Sequence, residues 1–213
     1  KRGRTREPMN ARICILDYGM GNVGSVLNLF QLITADVVVS NEASRIRDCT
    51  HLVLPGVGAF GASMARITNR LPVDVMEDEV RSKGKPFLGI CVGMQVLAEE
   101  GLEFGIHKGL GWIPGRVEKL SAGELPLPHI GWNDVQRVRE DPLLASFEKA
   151  TDFYFVHSYV FKPACTEHGV ANTEYGERFV SIVRSGSICG VQFHPEKSQR
   201  AGRLLLENFL RSS

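Results

Sequence analysis

Short runs that are apolar at nearly every position alternate along the first half of this chain with stretches whose apolar residues recur every three or four positions. Arg12 to Asp17, Asp36 to Ser40, His51 to Leu54 and Pro86 to Ile90 are of the first kind and predict buried strands. Ser25 to Leu32 is of the second kind and predicts a helix, with Val26, Leu29, Phe30 and the adjoining Ile33 on one face. Residues 62–82 hold further helical material, interrupted near Pro72. Strands alternating with helices predict an α/β fold with a mostly parallel central sheet flanked by helices. The rhythm changes after Gly101. Residues 115–120, 133–138, 153–160, 169–173, 179–184 and 188–193 read as shorter strands separated by turns, which predicts antiparallel β additions in the second half. Gln199 to Arg211 closes the chain as an amphipathic helix with Leu204, Leu205, Phe209 and Leu210 inward.

Composition narrows the class without changing this picture. At 213 residues, 43% hydrophobic and 23% charged, the chain suits one globular domain with its own core. No apolar run is long enough to span a bilayer and nothing reads as a signal peptide, so a cytoplasmic location without membrane contact is expected. Four of the first eight residues are basic, but without them 21 basic and 23 acidic residues remain. Residues 1–8 therefore read as a disordered basic tail or a cloning remnant ahead of a start at Met9, with one domain over 9–213, and no nucleic-acid partner is expected. Five cysteines, an odd number with no C-x-x-C pair, argue against a disulfide framework or a zinc site. No metal or cofactor is expected.

One cysteine stands apart. Gly89-Ile90-Cys91-Val92-Gly93 lies where the strand over 86–90 runs into a predicted helix, Met94 to Glu100. This is the strand–turn–helix pattern of a nucleophile elbow, with Cys91 where serine hydrolases carry serine. Glycines let the backbone turn without Cβ clashes. The helix that follows would point its N-terminal dipole at the sulfur and favour the thiolate. The other cysteines have no such context: Cys14 and Cys189 lie in apolar runs, and Cys49 and Cys165 lack an elbow.

A nucleophilic thiol needs a base and a group that orients it. His194-Pro195-Glu196 follows the predicted strand over 188–193. If the chain stays extended there, His194 and Glu196 share a side, so the carboxylate can hold one imidazole nitrogen while the other faces Cys91. His157 is the rival base, but has no carboxylate two residues away. His51, His107, His129 and His168 read as structural or exposed, and their spacing supports no metal site. For an oxyanion, the Val92 N–H is the donor an elbow supplies, and the Pro55-Gly56-Val57-Gly58 loop is the candidate for a second. Gly19-Met20-Gly21-Asn22-Val23-Gly24 also matches the dinucleotide pattern G-x-G-x-x-G. That pattern is short, Asp17 and Tyr18 separate it from the strand, and it leaves the elbow and His-Pro-Glu unexplained.

Seven segments in order carry a resemblance: Asp17 to Asn22, Pro55 to Gly58, Gly89 to Gln95, Gly109 to Val117, Pro128 to Asn133, Tyr154 to Tyr159 and Phe193 to Gln199. Over about Arg12 to Leu210 the chain resembles the class I, triad-type glutamine amidotransferases, and within them the glutaminase subunits of imidazole glycerol phosphate synthases. The resemblance implies a flavodoxin-like fold with Cys91 as nucleophile, His194 as base and then acid, and Glu196 as its orienter. It implies that Gln95, Glu103, Ser158 and Tyr159 hold the substrate glutamine, and that Val57, Gly58 and Val92 form the oxyanion hole. It implies that Asn22, Trp132 and Lys197 face a (β/α)8-barrel cyclase partner in a heterodimer, and that the Gly19 to Gly24 loop faces that partner and binds no nucleotide. The function implied is hydrolysis of glutamine to glutamate and ammonia through a cysteine thioester, with the ammonia used to make imidazole glycerol phosphate in histidine biosynthesis. Gly24 and Trp112 depart from the usual pattern and resemble paralogues that supply ammonia to surface-polysaccharide sugar amidotransferases, which leaves the acceptor open.

Overall fold

The computed structural model describes residues 11–34, 36–148 and 150–211. The predicted tail over residues 1–8, and Met9, lie outside them. The strands are β1 (Ile13–Leu16), β2 (Val37–Ser40), β3 (His51–Gly56), β4 (Phe87–Cys91), β5 (Glu100–Gly101), β6 (His107–Lys108), β7 (Gly115–Lys119), β8 (His129–Arg137), β9 (Ala150–His157), β10 (Tyr159–Pro163), β11 (Gly169–Tyr175), β12 (Glu177–Ser185) and β13 (Ile188–Val191). The helices are α1 (Val23–Gln31), α2 (Ala43–Asp48), α3 (Phe60–Arg70), α4 (Val73–Glu77), α5 (Val92–Gln95) and α6 (Gln199–Arg211), with a π-helical turn over Asp78–Ser82.

Nine strands form one mixed sheet in the order β2-β1-β3-β4-β13-β12-β11-β8-β9. From β2 to β13 every pairing is parallel. From β13 to β9 every pairing is antiparallel. The expected α/β sheet with antiparallel additions is thus present, with four antiparallel strands added to five parallel ones. β1, β3, β4 and β13 are buried at every residue, as strands covered on both faces must be. In β9, Phe153, Phe155 and His157 are buried while Tyr154 and Val156 are partly exposed, the alternation of a strand with one covered face. A smaller sheet, β10-β7-β5-β6, lies beside this half.

Three expectations are not met. The helix predicted over Met94 to Glu100 is only the single turn α5. The carbonyls that would continue it are taken by a neighbouring loop: Leu110 N–H donates to Val96 O (2.8 Å), Trp112 and Ile113 N–H to Leu97 O (2.9 and 3.0 Å), and Gly111 N–H to Ala98 O (2.9 Å). The strand expected over 153–160 breaks at Ser158, because β9 belongs to the large sheet and β10 pairs with β7 in the small one. In α6, Leu206 is buried whereas Leu204 is only partly so; the inward stripe sits slightly off the expected positions. The two-residue strands β5 and β6 are too short for any periodicity to reveal.

Candidate active site

The parallel strands end at the site, and close backbone approach forms the elbow there. Cys91 closes β4 with φ 55° and ψ −111°, a conformation few non-glycine residues adopt. A Cβ on Gly93 would run into the Leu54 carbonyl oxygen, and one on Gly89 into the Gly93 carbonyl oxygen. Both elbow glycines are therefore required by contact. Because α5 is one turn long, the helix dipole expected behind the sulfur reduces to the free N–H groups of that turn.

Cys91 is buried, yet it lines a cavity of about 260 Å³. His194 and Lys197 share that cavity with Val57, Gly58, Val92, Gln95, Glu103, Ser158 and Tyr159. Residues drawn from five separate sequence segments are thus gathered around one sulfur. The nitrogen His194 Nδ1 lies 2.8 Å from Glu196 Oε1. Asn22 Nδ2 donates to the same oxygen at 3.3 Å, while Glu196 Oε2 is buried without a hydrogen-bond partner among the described residues. Burial disfavours a charged His194, but its hydrogen bonds to Cys91 and Glu196 outweigh that, and its pKa is pushed up to about 10.

The route from His194 to Glu196 differs from the extended one expected. Pro195–Lys197 forms one 3₁₀ turn, with Lys197 N–H donating to His194 O at 3.0 Å and Ser198 Oγ to His194 O at 2.7 Å. Proline suits the first position of such a turn, and the turn brings the carboxylate back to the ring. Two other contacts were not signalled by any motif. Gln192 Nε2 lies 3.7 Å from Cys91 Sγ, and Val156 O lies 3.8 Å from it. Gln192 lies two residues before His194, inside a run that reads only as buried strand.

Around the rest of the cavity, Gln95 Nε2 donates to Tyr159 O (2.9 Å) and Gln192 Oε1 (3.1 Å). Glu103 Oε2 accepts from the Phe60 N–H at 2.8 Å, at the start of α3, so the carboxylate is held at the cavity wall. Gly58 has φ +90°, the left-handed region where glycine is unstrained, and Val57 is exposed. Lys197 Nζ sits 5.7 Å from the Tyr154 ring centroid, and Trp132 meets Tyr154 edge-on at 6.0 Å. His157, the rival base, also lines the cavity, but both of its ring nitrogens are engaged: Nδ1 lies 3.0 Å from Tyr159 O and Nε2 3.0 Å from His129 Nδ1. The G-x-G-x-x-G loop is exposed at Gly19 and Gly24 and half-buried between them, with Gly21 close to Pro55 O and Met20 Cε close to Gly58. Neither departure reaches the cavity. Trp112 is core, edge-on to Phe87 with Nε1 donating to Glu77, and Gly24 has open space where a Cβ would stand. The ligand atoms of Cys165, Glu167 and His168 lie within 4.8 Å of one another on an exposed turn, but none of the three lines the cavity. No helix of the described residues is long and apolar enough to cross a membrane.

The sequence model of glutamine amidotransferase class-I matches residues 14–212. The chain belongs to the class I glutamine amidotransferases. Within that family it is 44% identical over 199 residues to the imidazole glycerol phosphate synthase subunit HisH of Symbiobacterium thermophilum, covering 93% of each chain. It is 43% identical over 203 residues to the HisH subunit of Aquifex aeolicus, covering 95% of this chain and 97% of that one. Among solved structures, PurLQS from Thermotoga maritima shares the fold with a TM-score of 0.72 at 19% identity, over 95% of this chain and 99% of that one.

Proposed function

We propose that this amidotransferase hydrolyses glutamine to glutamate and ammonia, and that it acts as the glutaminase subunit of an imidazole glycerol phosphate synthase. The observation that carries the reading is the cavity itself, which Cys91, His194 and Glu103 line together. A substrate with an amide at one end and an α-ammonium at the other fits that polarity. The Cys91 thiolate attacks the side-chain amide carbon, and the tetrahedral oxyanion is met by the Val92 N–H and the Val57-Gly58 peptide. His194 gives its proton to the departing nitrogen, so ammonia leaves and a γ-glutamyl thioester remains. Water then attacks the thioester, His194 takes the water proton, and glutamate and the thiolate are regenerated. Glu196 keeps Nδ1 of the ring hydrogen-bonded throughout.

Ammonia released into water would be protonated, so the reading includes a (β/α)8-barrel cyclase that takes it up directly in histidine biosynthesis. Similarity to HisH subunits supports that partner. Trp132, Lys197 and the loop bearing Asn22 would meet it. The test is glutamate production by this chain with and without a barrel cyclase and its nucleotide substrate. Low activity alone and strong stimulation by the loaded partner are expected. Full activity without the partner, or no glutamate in either case, would overturn the proposal.

A further inference from the structure

Besides Pro128, which lines the cavity, and Trp132, the segment Pro128 to Asn133 holds one end of a buried hydrogen-bond chain. His129 and His157 face each other across the β8–β9 pair, and His129 Nδ1 lies 3.0 Å from His157 Nε2. His157 Nδ1 lies 3.0 Å from the Tyr159 carbonyl, which can only accept, so Nδ1 carries the proton and Nε2 must accept from His129. His129 then has its proton on Nδ1, and its Nε2 accepts from Asn133 Nδ2 at 3.3 Å. Asn133 is oriented by its own contacts: Nδ2 also donates to Glu174 O, and Oδ1 accepts from the Asp134 N–H. Every donor direction is thereby fixed, running from Asn133 through His129 and His157 to Tyr159 O. That oxygen also accepts from Gln95, whose amide continues through Gln192 to the Cys91 sulfur.

Burial pushes the His157 pKa down to about 3 and that of His129 down to about 4, so both rings are neutral, as this chain of donors requires. The His129 ring stacks on Phe155 (centroids 4.9 Å) and on Tyr175 (4.0 Å), contacts that favour its present plane. Gly131 stands opposite Phe155 in the register, so that ring crosses no facing side chain.

We propose that His129 is a positioning residue for the substrate: through His157 it holds the Tyr159 carbonyl, and with it Gln95 and the Ser158-Tyr159 wall, in the geometry that receives glutamine. This rests on the glutaminase reading of the cavity. Removing the His129 donor leaves His157 Nε2 buried and unpaired, frees the ring to turn, and loosens the wall that contacts ground state and transition state alike. The loss then falls mainly on KM.

The test uses this chain in complex with its barrel cyclase. His129→Phe keeps an aromatic ring in the stack and removes the N–H; we expect KM for glutamine to rise about ten-fold, with a smaller fall in kcat. His129→Gln, whose amide can still donate, should recover most of that KM. An unchanged KM in folded His129→Phe, a loss confined to kcat, or a KM rise that His129→Gln fails to recover would each overturn the proposal. If His129→Phe does not fold, the parent protein decides. Imidazole ¹⁵N spectra should show Nδ1–H tautomers at both His129 and His157, and an Nε2–H tautomer at either ring overturns it. A parent complex that makes no glutamate would refute the glutaminase reading, whereas these tautomers can be read without any turnover.

Discussion

The two halves of the large sheet hold the site by different physics. In the parallel half the nucleophile is placed by shape: Gly89 and Gly93 sit where any Cβ would overlap a carbonyl, and the Cys91 backbone is held at a strained φ by fully buried neighbours. In the antiparallel half the cavity wall is placed by polarity: His157 occupies an inward position of β9 that hydrophobic residues fill two and four places earlier, and a train of donors holds it. Shape fails when a methyl is added, while a buried donor chain fails when one N–H is removed. The first half therefore resists change in volume and the second resists change in hydrogen-bond direction.

Substitutions can break this contrast, the largest expected effect first. Cys91→Ala should lower glutamate production by about 10⁴-fold or more with the fold intact, and His194→Asn by nearly as much, because triad members act as a unit. Rates with circular dichroism as the folding check would show it, and His194→Asn milder than His157→Asn would reverse the assignment of the base. Next, Gly93→Ala should destabilise by about 3 kcal/mol through overlap with Leu54 O, whereas Gly24→Ala, with open space around it, should change stability by no more than about 1 kcal/mol. Denaturant unfolding compares them, and equal midpoints would remove shape as the organising term.

The two halves also differ in the pH dependence of stability. His194 is raised to about 10, so its contribution is whole below about 6.5 and is lost as pH climbs from there to about 10. His129 and His157 are lowered to about 4 and about 3, so the fold weakens as pH falls from about 6.5 towards those values, when the unfolded chain takes up protons the fold refuses. His194→Asn should flatten only the alkaline side of the melting-temperature profile and His129→Gln only part of the acid side. A single substitution that flattened both would join what the structure separates.

The parallel half was the more legible in sequence. Uninterrupted apolar runs marked β1, β3 and β4, and glycines around Cys91 marked the elbow, because steric demands select residue types at fixed spacings. His194 with Glu196 was legible for a related reason: a base and its carboxylate two residues apart form a local pattern, even though a 3₁₀ turn and not extended chain joins them. The polar half was poorly legible. His129 reads as an ordinary histidine and Gln192 as one residue of a buried strand, because their meaning lies in contacts across strands far apart in the chain. The early end of α5 was hidden likewise, since its carbonyls are claimed by amides from a loop beyond β6.

That capture has a mechanical consequence. With Val96, Leu97 and Ala98 tied to residues 110–113, the chain just after the turn that carries the sulfur is anchored to that loop. Between the tied stretches lies a small hairpin, β5 to β6, whose connecting loop carries Phe104 exposed and Glu103 turned to the Phe60 N–H. A change of length in that connecting loop would alter how far one carboxylate extends and leave the nucleophile where it is. Reach and reactivity are thus separately adjustable within about twenty consecutive residues.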